Sequence, residues 1–320
     1  MLVVVASNYW LLLVWRTMGA VGYGVAFAAC QGYAVDNTTP ATRTRGIAIF
    51  IGGVMSASIC GPSIGGMIAD HLGFDLTLLF AAGIMIAAMA VGQMLMGDGV
   101  RRTGAQKLGW RELKHVILNP RMLALLIFIA VPAKILLNGA LFYLVPLYLT
   151  SGGETQSVIG RVMMVYGTTA VLMGPVAAGY ADARPHQHHL FVGLGAAIAG
   201  LGLAPIGVMP GQIWILVAGI ALLGFGQAFS IPVQLALVTQ FTSCSCADIG
   251  PAAALGVFRF VERAGGALGP ILAGFLVSDL GYSGAIACMG QLSGACAFAF
   301  LIAFAVFARK ASASSIGGQS

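Results

Sequence analysis

Gly61-Pro62-Ser63-Ile64-Gly65-Gly66, followed by Asp70-His71-Leu72-Gly73-Phe74, has a second copy further along the chain. That copy is Gly269-Pro270-Ile271-Leu272-Ala273-Gly274, followed by Asp279-Leu280-Gly281-Tyr282, and pairing Gly61 with Gly269 sets an offset of 208 residues. Gly22-Tyr23-Gly24 and Gly224-Phe225-Gly226 recur at an offset of 202. Each copy lies in an apolar run long enough to cross a bilayer, which takes about 20 residues. Both copies enter from the same side, so the repeat is parallel, as expected of two halves related by an axis along the membrane normal.

Composition places the whole chain in the same class. Hydrophobic residues make up 59% of the 320 and charged residues 8%, with a mean hydropathy of +0.93. A soluble domain carries about 25% charged residues, so this chain could not cover its surface in water. Its 45 glycines suit transmembrane helices, where small residues let backbones approach closely. The net charge of +6 does not point to nucleic acid, because the charges sit in short clusters between apolar runs, the pattern of cytoplasmic loops. The cysteines Cys30, Cys60, Cys288 and Cys296 lie in apolar runs as small fillers. Cys244-Ser-Cys246 lacks the further ligands of a zinc site. No metal or cofactor is expected, and no enzyme, since no nucleophile–base or metal constellation occurs. No phosphate-binding Gly-x-x-x-x-Gly-Lys-Ser/Thr loop occurs either, so a built-in ATPase is unsupported.

Nine spans are expected, at roughly 9–34, 46–69, 74–97, 122–149, 157–180, 190–209, 212–240, 252–277 and 282–308. No cleavable leader is evident in Met1-Leu-Val-Val-Val-Ala, which has no basic start. With the first span running outside to inside, the inner side holds Arg43, Arg45, Arg101, Arg102, Lys107, Arg111, Lys114, Arg121, Arg184, Arg259, Arg263, Arg309 and Lys310, against Arg161 alone outside. That imbalance satisfies the positive-inside rule and puts the C-terminus in the cytoplasm. The loop 98–121 carries Trp110, Leu113 and Ile117 on one helical face. It reads either as a helix along the inner surface or as a solvated linker. The Ser/Gly/Ala-rich tail, 309–320, is expected to be disordered.

Taken together, the motifs resemble those of major facilitator superfamily antiporters. Ala57-x-x-x-Gly61-Pro62-x-x-Gly65-Gly66 is similar to the glycine–proline signature of the family's fifth helix, although Ala57 stands where that signature has glycine. Arg16-x-x-Gly19-x-x-Gly22-x-Gly24 is similar to the arginine–glycine signature of the fourth helix, and Ala178-Gly179-Tyr180-Ala181-Asp182-Ala183-Arg184 to the Asp-Arg loop between helices eight and nine. The resemblance implies an all-α polytopic fold of twelve helices in two six-helix halves. Residues 1–97 would then be the end of helix three and helices four to six, 98–121 the central loop, and 122–308 helices seven to twelve. Helices one, two and most of three are expected to be missing from the chain, as from a fragment, a misassigned start or one part of a longer protein.

In that fold the cavity is lined by helices one, four, seven and ten, so polar residues in the first, fourth and seventh spans are the transport candidates. A charge inside a span is costly, by about 2.5–3.5 kcal/mol at the centre, and is a functional hypothesis by default. Arg16 is assigned by the resemblance to coupling or substrate contact, with snorkelling to the interface as the alternative. Lys134 is 12 residues into its span, roughly 18 Å deep at 1.5 Å per residue, with Asn138 one turn on along the same face. An anionic substrate group or a proton could use it, or it could pair with a buried carboxylate or carbonyl. Gln227 and Gln234 share a face of the seventh span and suit either substrate or interhelical hydrogen bonds. Glu262, between Arg259 and Arg263, is read as part of a charge cluster at the inner mouth of the eighth span, with proton relay as the lesser alternative. The resemblance has Asp182 capping the inner N-terminus of the second span beside Arg43 and Arg45, with Arg184 nearby. His186-Gln-His188-His189 reads as a basic loop. Gly61, Pro62, Gly65 and Gly66, with Gly269, Pro270 and Gly274, are expected to form dry helix contacts that seal the protein against ion leak.

These readings lead to a secondary active transporter of a small solute, proton-coupled, with antiport such as drug or metabolite efflux implied by the signature. It is expected to work by alternating access as a monomer in a bacterial inner membrane, with the solute, protons and lipid as its partners. The alternative is a membrane anchor or sensory module that keeps the fold without transport.

Overall fold

Residues 8–36, 43–95, 119–245 and 251–316 are described by a computed structural model of the chain. Helix α1 is Tyr9–Asp36. The run Arg43–Leu95 is broken at Gly73, whose φ of 81° and ψ of 169° no helix contains, into α2 (43–72) and α3 (74–95). Only glycine takes that backbone without strain, so the break belongs to the sequence. Helix α4 spans Pro120–Ser151, α5 Gln156–Asp182, α6 His188–Leu201 and α7 Ile213–Ser245. A second break, at Gly281 with φ 66° and ψ 179°, divides Pro251–Ile316 into α8 (251–280) and α9 (282–316). Gly73 and Gly281 are the two glycines that the repeat superposes. The nine expected spans therefore stand as nine helical segments among the described residues, seven of the continuous helical runs being long and apolar enough to cross a membrane. Helix α9 continues to Ile316, past the expected end of the last span. The central loop, with Trp110, Leu113 and Ile117, lies outside the described residues.

The chain forms two compact units, one of Met1–Gln106 with Thr155–Gly160, the other of Lys107–Glu154 with Arg161–Ser320. In the first, no described residue of α1, α2 or α3 is buried. The second has a continuous core in which Leu125 and Ile129 of α4, Val192 of α6, Val238 of α7, Phe258 of α8 and Phe300 of α9 are all buried. Its outer face is apolar too, with Phe260 75% and Phe275 71% exposed. An inside and an outside that are both apolar make sense only in lipid.

Helix α4 starts cleanly and then departs from α geometry. Asn119 caps it by accepting from the Arg121 backbone N–H at 3.0 Å, with Pro120 in the first turn. Leu126–Ala130 and Leu136–Leu144 are π-helical, and between them lies the single α turn Val131–Ile135 that carries Pro132 and Lys134. Pro132 has no N–H to donate, which frees a carbonyl in the turn before it, and π turns concentrate at such places and at functional sites.

Candidate functional site

In the second unit, α4 and α8 bring together charges 128 residues apart. Gly269 lets the two backbones meet: a Cβ there would stand 2.8 Å from Gly139 N and from Ile135 O. Reciprocally, a Cβ on Gly139 would stand 2.6 Å from Gly269 O. At Gly266 it would stand 2.5 Å from Asn138 Nδ2 and 3.7 Å from Lys134 Cβ. Small residues on α8 thus make room for the polar side chains of α4.

What fills that room is an ion cluster. Glu262 is buried, its side chain 4% exposed. Its Oε2 accepts from Arg259 Nη1 at 2.8 Å, and its Oε1 lies 3.4 Å from Lys134 Nζ. Asn138 Nδ2, one turn beyond the lysine, donates to Gly266 O at 3.1 Å. A buried carboxylate survives only with partners of this kind. Arg263, next to Glu262, is exposed. Sequence reasoning had singled out every member of the cluster, with Glu262 in a charge cluster at the inner mouth of the eighth span and a buried carboxylate left open, but not named, as the partner of Lys134. A depth comparison was the available signal. Lys134 is 12 residues into the fourth span, and Glu262 is 10 into the eighth, which runs in the same direction. At 1.5 Å per residue the two depths differ by about 3 Å.

The other candidates fall elsewhere. In α7, Gln234 Nε2 donates to Ser230 Oγ at 2.8 Å, and that hydroxyl donates to Val192 O on α6 at 3.2 Å. Gln227 accepts at Oε1 from the Tyr166 hydroxyl of α5 at 2.9 Å, while its buried Nε2 has no hydrogen-bond partner. Tyr166 went unnoticed in the sequence, where a tyrosine in an apolar span carries no distinguishing pattern. In the first unit, Arg16 is exposed and lines an open groove of about 780 Å³ with Trp15, Tyr23, Leu78 and Met85. Arg184 lies over the Tyr180 ring at 5.9 Å. The side chains of Arg43, Arg45 and Asp182 lie outside the described residues.

His188 is buried, with Nε2 3.1 Å from Ala181 O and Nδ1 3.2 Å from Gln240 Nε2. A carbonyl can only accept, so the ring proton sits on Nε2 and Nδ1 accepts from the glutamine. His189 stacks on Phe304 at 5.5 Å. The two histidines face different partners.

The glycine–proline run makes its close approach at Gly66, where a Cβ would collide with the Gln156 carbonyl. At Gly61 and Gly65 it would meet nothing within 4 Å. Gly160 completes the contact, since a Cβ there would run into the Pro62 carbonyl and stand 2.9 Å from Ser63 Cα. Asp70, two turns beyond Pro62 on the same face, accepts from Gln156 N at 3.0 Å, from Ser157 N at 2.7 Å and from the Ser157 hydroxyl. It caps the N-terminus of α5, satisfying N–H groups that have no intrahelical partner. The repeat had marked Asp70 without giving it a role.

Residues 1–245 match the Major Facilitator Superfamily. The MFS-type transporter SLC18B1 of Rattus norvegicus is 22% identical over 296 residues, covering 86% of this chain and 61% of the relative. The protein of the same name from Mus musculus is 22% identical over 295 residues, with the same coverage. The chain thus spans about three fifths of the length of these relatives.

Proposed function

We propose that this chain, which belongs to the major facilitator superfamily, is a secondary active transporter moving a small solute by alternating access, coupled to protons. The observation that carries the coupling is the buried Glu262 carboxylate between Arg259 and Lys134, inside helices that cross the membrane. At 3.4 Å the Lys134–Glu262 attraction is screened in part by the exposed quarter of the lysine and set against the cost of burying the carboxylate. A proton taken up on Oε1 removes it and releases Lys134. In this reading the pair has a second arrangement, with the carboxylate neutral and Lys134 released, which a proton would favour. Gln227, Gln234 and Asn138 supply hydrogen bonds to the solute in this reading, and Arg16 a charge on α1. The glycine contacts at Gly66, Gly139 and Gly269 are sites where helices can rock as packed bodies.

The fine assignments follow from the sequence. The glycine–proline signature favours antiport and efflux, and the Lys/Arg asymmetry favours a C-terminus in the cytoplasm. The protein works as a monomer in this account. The test is reconstitution into proteoliposomes holding a pH-sensitive dye, with solutes added from a panel. A solute should evoke a lumenal pH change in the wild type and none in Glu262→Gln. Proton movement that persists in the variant, or silence with every solute, would count against coupling through Glu262.

A further inference from the structure

The two cations around Glu262 are not equivalent. Arg259 holds Oε2 with a hydrogen bond of 2.8 Å, whereas Lys134 stands 3.4 Å from Oε1, an ion-pair distance with a quarter of its side chain exposed. An ammonium has three donors, and one carboxylate oxygen at that distance engages one of them weakly. Among the described residues, the cluster of Lys134, Arg259 and Glu262 also carries one positive charge in excess. With Arg259 45% and Lys134 25% exposed that excess is only partly desolvated, and a monoanion would cancel it. An incoming anion can take Lys134 without stranding Glu262, because Arg259 remains on Oε2. A cation entering the same place would face two resident cations competing for one buried carboxylate.

We infer that Lys134 binds the anionic group of the solute, and that the substrate class is an organic anion. Glu262 then acts as the resident competitor for the lysine: solute and carboxylate exchange on Lys134, and a proton on Glu262 favours the solute. This rests on the transport reading above but is tested by binding alone. Asn138, held by Gly266 O at 3.1 Å, adds a carbonyl oxygen one turn from the ammonium. That oxygen suits a ligand with a hydroxyl or N–H beside its anionic group.

The experiment measures melting temperature and equilibrium binding on the full chain in detergent. The probes are acetate, benzoate and phenyl phosphate, against acetamide, benzamide and benzylamine. Anions should protect the wild type and the neutral amides should not. Glu262→Gln, by removing the competitor, should tighten anion binding about tenfold, the equivalent of an interaction of about 1.4 kcal/mol. Lys134→Gln should abolish it, and Lys134→Arg, which keeps the charge, should retain it even if Glu262→Gln is poorly folded. Protection by benzylamine, or no protection by any anion in the wild type and in Lys134→Arg, would overturn the inference. If proton flux is lost in Glu262→Gln while no anion binds, the substrate class fails and the coupling reading stands.

Discussion

Replacing Gly269 by alanine tests the crossing that puts Lys134 beside Glu262. The new Cβ would lie 2.8 Å from Gly139 N and from Ile135 O, and ordinary contact begins at 3.4 Å, so the helices must part by about 0.6 Å. Both obstructing atoms are backbone and cannot rotate away. Overpacking of this kind costs about 1–3 kcal/mol, and lipid offers no compensating hydrophobic drive between helices. With a Tm change of about 2–4 °C per kcal/mol in chains of a few hundred residues, Gly269→Ala should melt roughly 2–12 °C lower in a detergent thermostability assay. Gly139→Ala should act similarly, since its Cβ would stand 2.6 Å from Gly269 O. The double variant should cost less than the sum, because one displacement relieves both clashes. Gly274→Ala, with nothing within 4 Å, is the control and should not lower the Tm. An unchanged Tm in Gly269→Ala, or an equal loss in Gly274→Ala, would refute the packing argument.

On α2 the same logic separates neighbours: Gly66→Ala should destabilise, while Gly65→Ala, whose Cβ meets nothing within 4 Å, should not. Asp70→Asn should accelerate hydrogen exchange at the Gln156 and Ser157 amides, which now donate to its carboxylate; unchanged exchange would remove Asp70 as a cap. For orientation, cysteines at Gly152 and Gly211 should react with an impermeant thiol reagent from outside, and one at Gly104 only after permeabilisation. The reverse pattern would invert the topology.

The fold was legible because bilayer crossing leaves its mark on every stretch of about 20 residues, and because Gly73 and Gly281 punctuate the two copies of the repeat alike. Lys134 was legible as a charge with nowhere to snorkel. Its partnership with Glu262 was legible only as a match in depth, since helical periodicity says which residues share a face but not which helix that face meets. Gly66 and Gly65 are indistinguishable in sequence, and only the position of Gln156 separates them. The Tyr166–Gln227 bond is invisible for the same reason. The π turns around Pro132 were hidden too, because a proline announces a lost hydrogen bond and not how the helix accommodates it.

The most direct test of the Lys134–Glu262 account reads solute-evoked proton flux and melting temperature on one preparation of Lys134→Ala. Arg259 donates to Oε2 at 2.8 Å without involving the lysine, so Glu262 should keep a partner in that variant and the protein should stay stably inserted. The account predicts lost flux with a largely retained melting temperature. Wild-type flux in the alanine variant would contradict it.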